Sequence, residues 1–218
     1  GIVPFGSYQV NDKAYNRLGF SIHNYFFAKA LDQVRPGGIV AFVTSRYTMD
    51  AKDTTARKYL AQRAELLGAI RLPNNAFKAN AGTEVVTDIL FLQKRDHIDL
   101  SEPAWVQLGE SANGFAINRY FSDHPEMVLG VQTSENTQYG RQDFTVAPME
   151  GASLENQLAA AIQNIQGVYT EAAPADVEDA EADDSIPADP AVRNYSYTVV
   201  DGKVYYRENS CMTPVRVS

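Results

Sequence analysis

Arg35-Pro36-Gly37-Gly38 separates two segments of different periodicity, and that junction constrains the fold more than any other feature of the chain. Before it, Ser21 is placed to cap a helix through IHNYFFAKALDQV, where Ile22, Phe26, Ala30 and Val34 recur at four-residue spacing with Phe27 and Leu31 beside them. Proline cannot continue the helical ladder, and glycine accepts the left-handed turn that closes it. After it, IVAFVTS at 39–45 is a continuous apolar run, the pattern of a strand buried on both faces. A helix followed at once by such a strand predicts an α/β arrangement.

The next segments repeat the alternation. Asp53 or Thr54 is positioned to cap a helix over TTARKYLAQRAELL, with Ala56, Leu60, Ala64 and Leu67 on one stripe and Gly68 at its end. AIRLP at 69–73 and EVVTDILFLQKR at 84–95 read as strands, separated by NNAFKANAGT, which has loop chemistry. Residues 1–95 therefore predict a parallel sheet with helical crossovers. Residues 96–170 predict an α+β extension: a strand at WVQL, a short helix in INRYFSDHPEMVL broken near Pro125, and an amphipathic helix over SLENQLAAAIQNI. Residues 171–190 are acidic, Ala/Pro-rich and without aromatics, as in a disordered linker. Residues 191–218 predict a β-hairpin turning at Asp201-Gly202.

Charge is unevenly distributed. The net charge of the 218 residues is −8, yet residues 1–95 hold 13 Lys and Arg against 7 Asp and Glu, and residues 96–170 hold 2 against 10. The basic first segment could face phosphates or could be spread over a solvated surface. Lys13, Arg17, Arg46 and Lys78, in or beside loops that follow strands, are the candidate phosphate contacts. Asp88 is expected to cap a loop or neutralise a nearby arginine. The three histidines lack ligand-spaced partners, and Cys211 is the only cysteine, so no metal site is expected. No run approaches the roughly 20 apolar residues that span a bilayer. There is no nucleophile elbow, no phosphate loop and no G-x-G. The expected location is the cytoplasm.

GIVPFG at 1–6, HNYFFAKALDQVRPGGIVAFVTSRYTMD at 23–50, LLGAIRLPNNAF at 66–77 and GTEVVTDILFLQKR at 82–95 together resemble the N6-adenine DNA methylases of the large methylase/helicase proteins of bacterial mobile elements. The resemblance implies the C-terminal half of a class I methyltransferase domain. Its fold would be a partial doubly wound, Rossmann-like sheet lacking the first strands, with the α+β extension and C-terminal hairpin appended. It further implies double-stranded DNA and a helicase-like region of the same polypeptide as partners, and S-adenosylmethionine as cofactor of the intact protein. The same resemblance makes Lys13, Arg17, Arg46 and Lys78 DNA contacts, and Asn74, Asn75 and Thr83 candidates for the substrate cleft.

In such enzymes a strand ends in Asn-Pro-Pro-Tyr/Phe or a close variant, whose Asn and a following carbonyl accept the hydrogens of the adenine amino group while the ring stacks on the flipped base. Carried over, the Val3 carbonyl, Pro4 and Phe5 would hold the target adenine. Ile2 stands where the Asn belongs, and its side chain cannot accept a hydrogen bond. Either the site is inactive or the sequence is truncated there; truncation is the expectation, with the isolated fragment inactive because the cofactor loop is absent. The alternatives are a non-catalytic DNA-binding or scaffolding module, and methylation of RNA or protein.

Overall fold

The computed structural model describes residues 12–13, 15, 18–78, 84–137, 140–168 and 185–215. The chain divides into two units, Gly1–Thr170 and Glu171–Ser218. In the first, helix α1 (Ile22–Gln33) begins where Ser21 accepts a hydrogen bond from the Asn24 amide, and Val34 is its extended C-cap. Its buried residues are Phe27, Ala28 and Leu31, whereas Phe26 is exposed, so the inward face lies one residue away from the four-residue series that begins at Ile22. Beyond the Pro36-Gly37 turn comes strand β1 (Ile39–Ser45), then a single turn of helix α2 (Tyr47–Asp50) and helix α3 (Thr55–Arg63). Thr54 is the N-cap of α3, but the capping oxygen is supplied by Asp53, which accepts from the amide and hydroxyl of Thr55.

Strand β2 (Ala64–Leu72) begins where the sequence pattern continues as helix. Ala64 serves either periodicity; its pairing with Lys94, and that of Leu66 with Leu92, in strand β3 (Thr87–Lys94) decides for strand, with a bulge between Leu66 and Gly68.

The doubly wound parallel sheet expected from the sequence is not formed by the described residues. The sheet has three strands in the order β1-β3-β2, with β3 central and antiparallel to both neighbours. The reason lies in the connections. A parallel return needs a long crossover, usually helical, and α3 supplies one between β1 and β2. After β2 the described residues form a turn over 74–77, and the chain re-enters the sheet in the opposite sense. The register aligns Thr44, Asp88 and Arg71 in one row across the three strands.

The rest of the first unit closes over this sheet. Trp105 and Val106 lie in a buried 3₁₀ turn, not in a strand, and strand β4 (Leu108–Glu110) starts after them to pair with β5 (Ala116–Asn118). Asn118 caps helix α4 (Arg119–Asp123), and Pro125 opens a second 3₁₀ turn where that helix has ended. Val128 makes a parallel bridge to Arg71, fastening this segment to β2. The ribbon of β6 (Val131–Asn136) and β7 (Gln142–Ala147) follows, then helix α5 (Leu154–Ile162), capped by Ser153. Phe27, Phe42, Leu90, Leu92, Phe121, Phe144 and Val146 join one apolar core drawn from every part of the unit.

In the second unit, β8 (Ile186–Pro187), β9 (Tyr197–Val200), β10 (Lys203–Glu208) and β11 (Cys211–Pro214) form a sheet in the order β8-β11-β10-β9. The expected hairpin is thus one half of a four-stranded sheet. Its turn has φ of +48° at Asp201 and +78° at Gly202, the mirror-image geometry that Asp-Gly favours. Ile186 and Pro187, read in the sequence as part of the acidic linker, are in strand, and residues 169–184 lie outside the described residues.

Candidate functional site

Two features meet at the carboxyl end of β1: a buried ionic network and a cleft. The network begins with Arg71, whose Nε and Nη2 donate to Asp88 at 2.8 Å each and whose Nη2 also donates to Asp50 at 2.9 Å. Asp50 further accepts from the Asn118 amide at 2.8 Å and from Arg46 at 3.2 Å. Arg46 completes the chain by donating from Nη2 to Asp143 of β7 at 2.6 Å. Arg71 and Asp88 are wholly buried, and the Arg71 guanidinium lies 4.2 Å from the ring centre of Phe121. Desolvation works against the guanidinium, but the carboxylates of Asp88 and Asp50 outweigh it and raise the Arg71 pKa. Burial pushes the Asp88 carboxyl up, opposed by Arg71. Asp143 is held below the usual carboxylate range: its partial burial acts upward, and the hydrogen bond and charge of Arg46 prevail.

The cleft, of about 230 Å³, lies between the start of α1 and the segment that follows β1. Phe20, Ser21, His23 and Asn24 line one side, and Ser45, Tyr47, Thr48, Asp53 and Thr55 line the other. Beside the Asp53 carboxylate its lining consists of hydroxyls, the amide of Asn24, the rings of Phe20, His23 and Tyr47, and small or aliphatic groups. Tyr47 is 56% exposed, so its ring offers a face to solvent. Its hydroxyl donates to Asp143 at 3.2 Å, and the Arg46 guanidinium lies 4.5 Å from its ring centre. Burial lowers the pKa of His23 and so favours the neutral ring.

The residues singled out from the sequence are distributed differently. Ile2, Val3, Pro4, Phe5, Arg17 and Thr83 lie outside the described residues. Lys13 is exposed on a turn next to Asp12, away from the cleft lining. Arg46 is 7% exposed, and its charge is engaged inside the protein by Asp50 and Asp143. Lys78 is exposed and paired with Glu84. Asn74 binds the ribbon, donating from its amide nitrogen to Val146 and from its side chain to Thr145, while the neighbouring Asn75 is exposed. Of these, the ones among the described residues do not line the cleft. The residue that does, Tyr47, directly follows Arg46 and carries no sequence motif.

Among the described residues there is no group of three or more His, Cys, Asp or Glu arranged to hold a metal, and no helix long and apolar enough to cross a membrane. The sequence has no G-x-G, and no glycine-rich turn links a described strand to a following helix, so these residues do not fit S-adenosylmethionine by the usual loop.

No family profile and no solved structure matches the chain. A curated relative does: "Defense against restriction protein B" of Escherichia phage P1, 34% identical over an alignment of 98 residues that covers 43% of this chain. The match spans 4% of that protein's length. This finding overturns the assignment to the N6-adenine methylase family that the sequence blocks imply, because neither the relative's name nor any family profile brings a methyltransferase. What the chain is similar to is a phage restriction-defence protein.

Proposed function

We propose that this chain is a DNA-contacting segment of a larger protein that shields the DNA of a mobile element from restriction, and that its cleft receives one unstacked nucleobase. The observation that carries the reading is the cleft's chemistry. An exposed aromatic ring with hydroxyls and an amide around it suits a flat, neutral ligand with donors and acceptors on its edge. At about 230 Å³ the cleft is smaller than the roughly 300–1,000 Å³ of sites for drug-sized ligands, which favours a single ring system. Lys52, exposed between the cleft residues Ala51 and Asp53, is positioned to meet a phosphate at the rim. Similarity to a restriction-defence protein supplies the biological setting.

The test is binding of a single-stranded oligonucleotide carrying one 2-aminopurine. Stacking on Tyr47 quenches the fluorescent base, and Tyr47→Ala weakens binding about 5- to 150-fold, the equivalent of roughly 1–3 kcal/mol per stacked base. Binding without quenching, or a Tyr47→Ala protein that binds as the wild type does, overturns the reading.

A second reading concerns the larger protein: adenine-N6 methylation with S-adenosylmethionine, the chemistry that hides a site from an endonuclease. It is favoured by the combination of a base-sized cleft and a restriction-defence relative. The cofactor would be held outside this chain, whose own part is to bind the base. Comparing N6-methyladenine in DNA from cells with and without the intact gene decides it, and equal levels reject it. A helicase-like region in the same polypeptide belongs to this reading as well.

A further inference from the structure

We infer that Asp143, on the β6–β7 ribbon, is a positioning residue that fixes the aromatic wall of the cleft. The inference rests on the reading of that cleft as a base-binding site and names what sets its geometry. Asp143 is 96 residues from Tyr47 in sequence, yet one of its carboxylate oxygens, Oδ2, accepts from both the Tyr47 hydroxyl at 3.2 Å and Arg46 Nη2 at 2.6 Å. The Arg46 guanidinium lies against the Tyr47 ring at 4.5 Å and is anchored at its other nitrogen by Asp50. The ring is therefore held at its tip by a hydrogen bond and at its face by a cation.

Tyr47 needs such a hold. It sits in a four-residue helix, α2, and more than half of it faces solvent. Left to itself an exposed tyrosine samples its staggered rotamers on the picosecond-to-nanosecond scale. A stacking platform that must first be ordered binds more weakly than one already in place. The ribbon is itself firmly seated: Phe144 and Val146 are buried in the core, and Asn74 ties Thr145 and Val146 to the loop after β2. Asp143 thus transmits the rigidity of the core to a side chain at the surface.

The experiment uses the full chain and four variants: Tyr47→Phe, Asp143→Asn, the double substitution, and Asp143→Glu. Tyr47→Phe keeps the ring and removes only the hydroxyl that Asp143 holds. The expected result is a loss of 2-aminopurine affinity of about 3- to 10-fold in Tyr47→Phe and in Asp143→Asn, with the double variant no worse than the weaker single one, and partial recovery in Asp143→Glu. Carbon-13 relaxation of the Tyr47 ring in the free protein gives a readout that needs no ligand: restricted in the wild type, mobile in Asp143→Asn and Tyr47→Phe.

If the wild type fails to quench but its ring is restricted by Asp143, the clamp stands and the base-binding reading falls. Should the wild type bind while Tyr47→Phe matches it in affinity and ring motion, the positioning role is wrong and the cleft reading survives. Loss of folding in Asp143→Asn leaves the decision to Tyr47→Phe, whose change lies at the surface.

Discussion

Arg71 of β2 and Asp88 of β3 lie directly opposite each other in the sheet, joined by two hydrogen bonds of 2.8 Å, with neither side chain in contact with solvent. Each is a charge set among buried apolar neighbours, Ile70 and Leu72 beside Arg71 and Leu90 beyond Asp88. A charge there is tolerated because its counter-charge occupies the same row, while Asp50 accepts from the same Nη2 and the ring of Phe121 lies against the guanidinium.

Removing one partner leaves the other charged and buried. Asp88→Ala is expected to destabilise the first unit by about 3–5 kcal/mol, read as a fall in the urea midpoint with an unchanged slope. Arg71→Lys keeps the charge but loses the planar two-pronged contact, so a substantial fraction of that loss is expected there too. An Asp88→Ala protein within about 0.5 kcal/mol of the wild type would remove the ionic row from any account of the fold.

Asn118 fastens three segments at once. Its side-chain nitrogen donates to the carbonyls of Met49 and Trp105 at 2.8 Å each, its oxygen accepts from the Tyr120 amide, and its own amide donates to Asp50. Asn118→Ala strands two buried carbonyls and uncaps α4. A loss of about 3 kcal/mol is expected, since each unsatisfied buried group costs roughly 1–3 kcal/mol and a lost cap about 1. Asn118→Asp keeps the cap but places an acceptor against two carbonyls, and is expected to be no better than alanine in thermal unfolding.

How far the sequence revealed this structure depends on the range of the interactions concerned. Helix α1 and the turn at Asp201-Gly202 were legible because their signals are local: a capping serine, a proline stop, and a dipeptide that accepts positive φ. The start of β2 was not, because Ala64 continues the helical stripe of Ala56 and Leu60 as well as it begins a strand, and only pairing with β3 settles the matter. The antiparallel placement of β3 was hidden for a related reason: it is set by pairing with β1 and β2, which are distant from it in sequence.

Asp88 reads from the sequence as a loop cap or the partner of a nearby arginine; the structure takes the second alternative, with Arg71 17 residues away, in a network the sequence does not signal. The tie between Arg46 and Asp143, 97 residues apart, has no sequence signature at all. Reading Arg46 as a phosphate contact was reasonable from its place after a strand, and burial against two carboxylates is what sequence spacing cannot disclose. The cleft was illegible for the same reason, because its two sides, the start of α1 and the segment after β1, are brought together only by packing.

His23 makes the stability of the first unit sensitive to mild acid. Its pKa in the folded state is lowered from the ordinary 6.5 by burial, so the unfolded chain takes up a proton first as pH falls. The stabilising contribution is complete above about 6.5 and is lost as the pH drops towards the folded-state value. The urea midpoint of the wild type should fall between pH 7.5 and pH 5.5 by more than that of His23→Gln. Equal slopes in the two proteins would show that the His23 ring stays accessible to protons when folded.

Gly130 and Gly202 both have positive φ, at +153° and +78°, but their surroundings differ. A Cβ at Gly130 would lie 2.3 Å from the Ala147 carbonyl oxygen and 2.7 Å from Val146, both on the neighbouring strand of the ribbon, whereas one at Gly202 would meet nothing within 4 Å. Gly202→Ala therefore carries only the backbone cost of a left-handed residue, roughly 1–2 kcal/mol. Gly130→Ala must also push β6 from β7, an overpacking cost of about 1–3 kcal/mol added to the backbone strain. Hydrogen exchange should show the difference locally: Gly130→Ala opens the β6–β7 ladder well beyond the change that Gly202→Ala makes in β9–β10. Because β7 carries Asp143, the same substitution is expected to loosen the Tyr47 ring, and a Gly130→Ala protein with an intact ladder and an immobile Tyr47 would contradict the close packing seen between these strands.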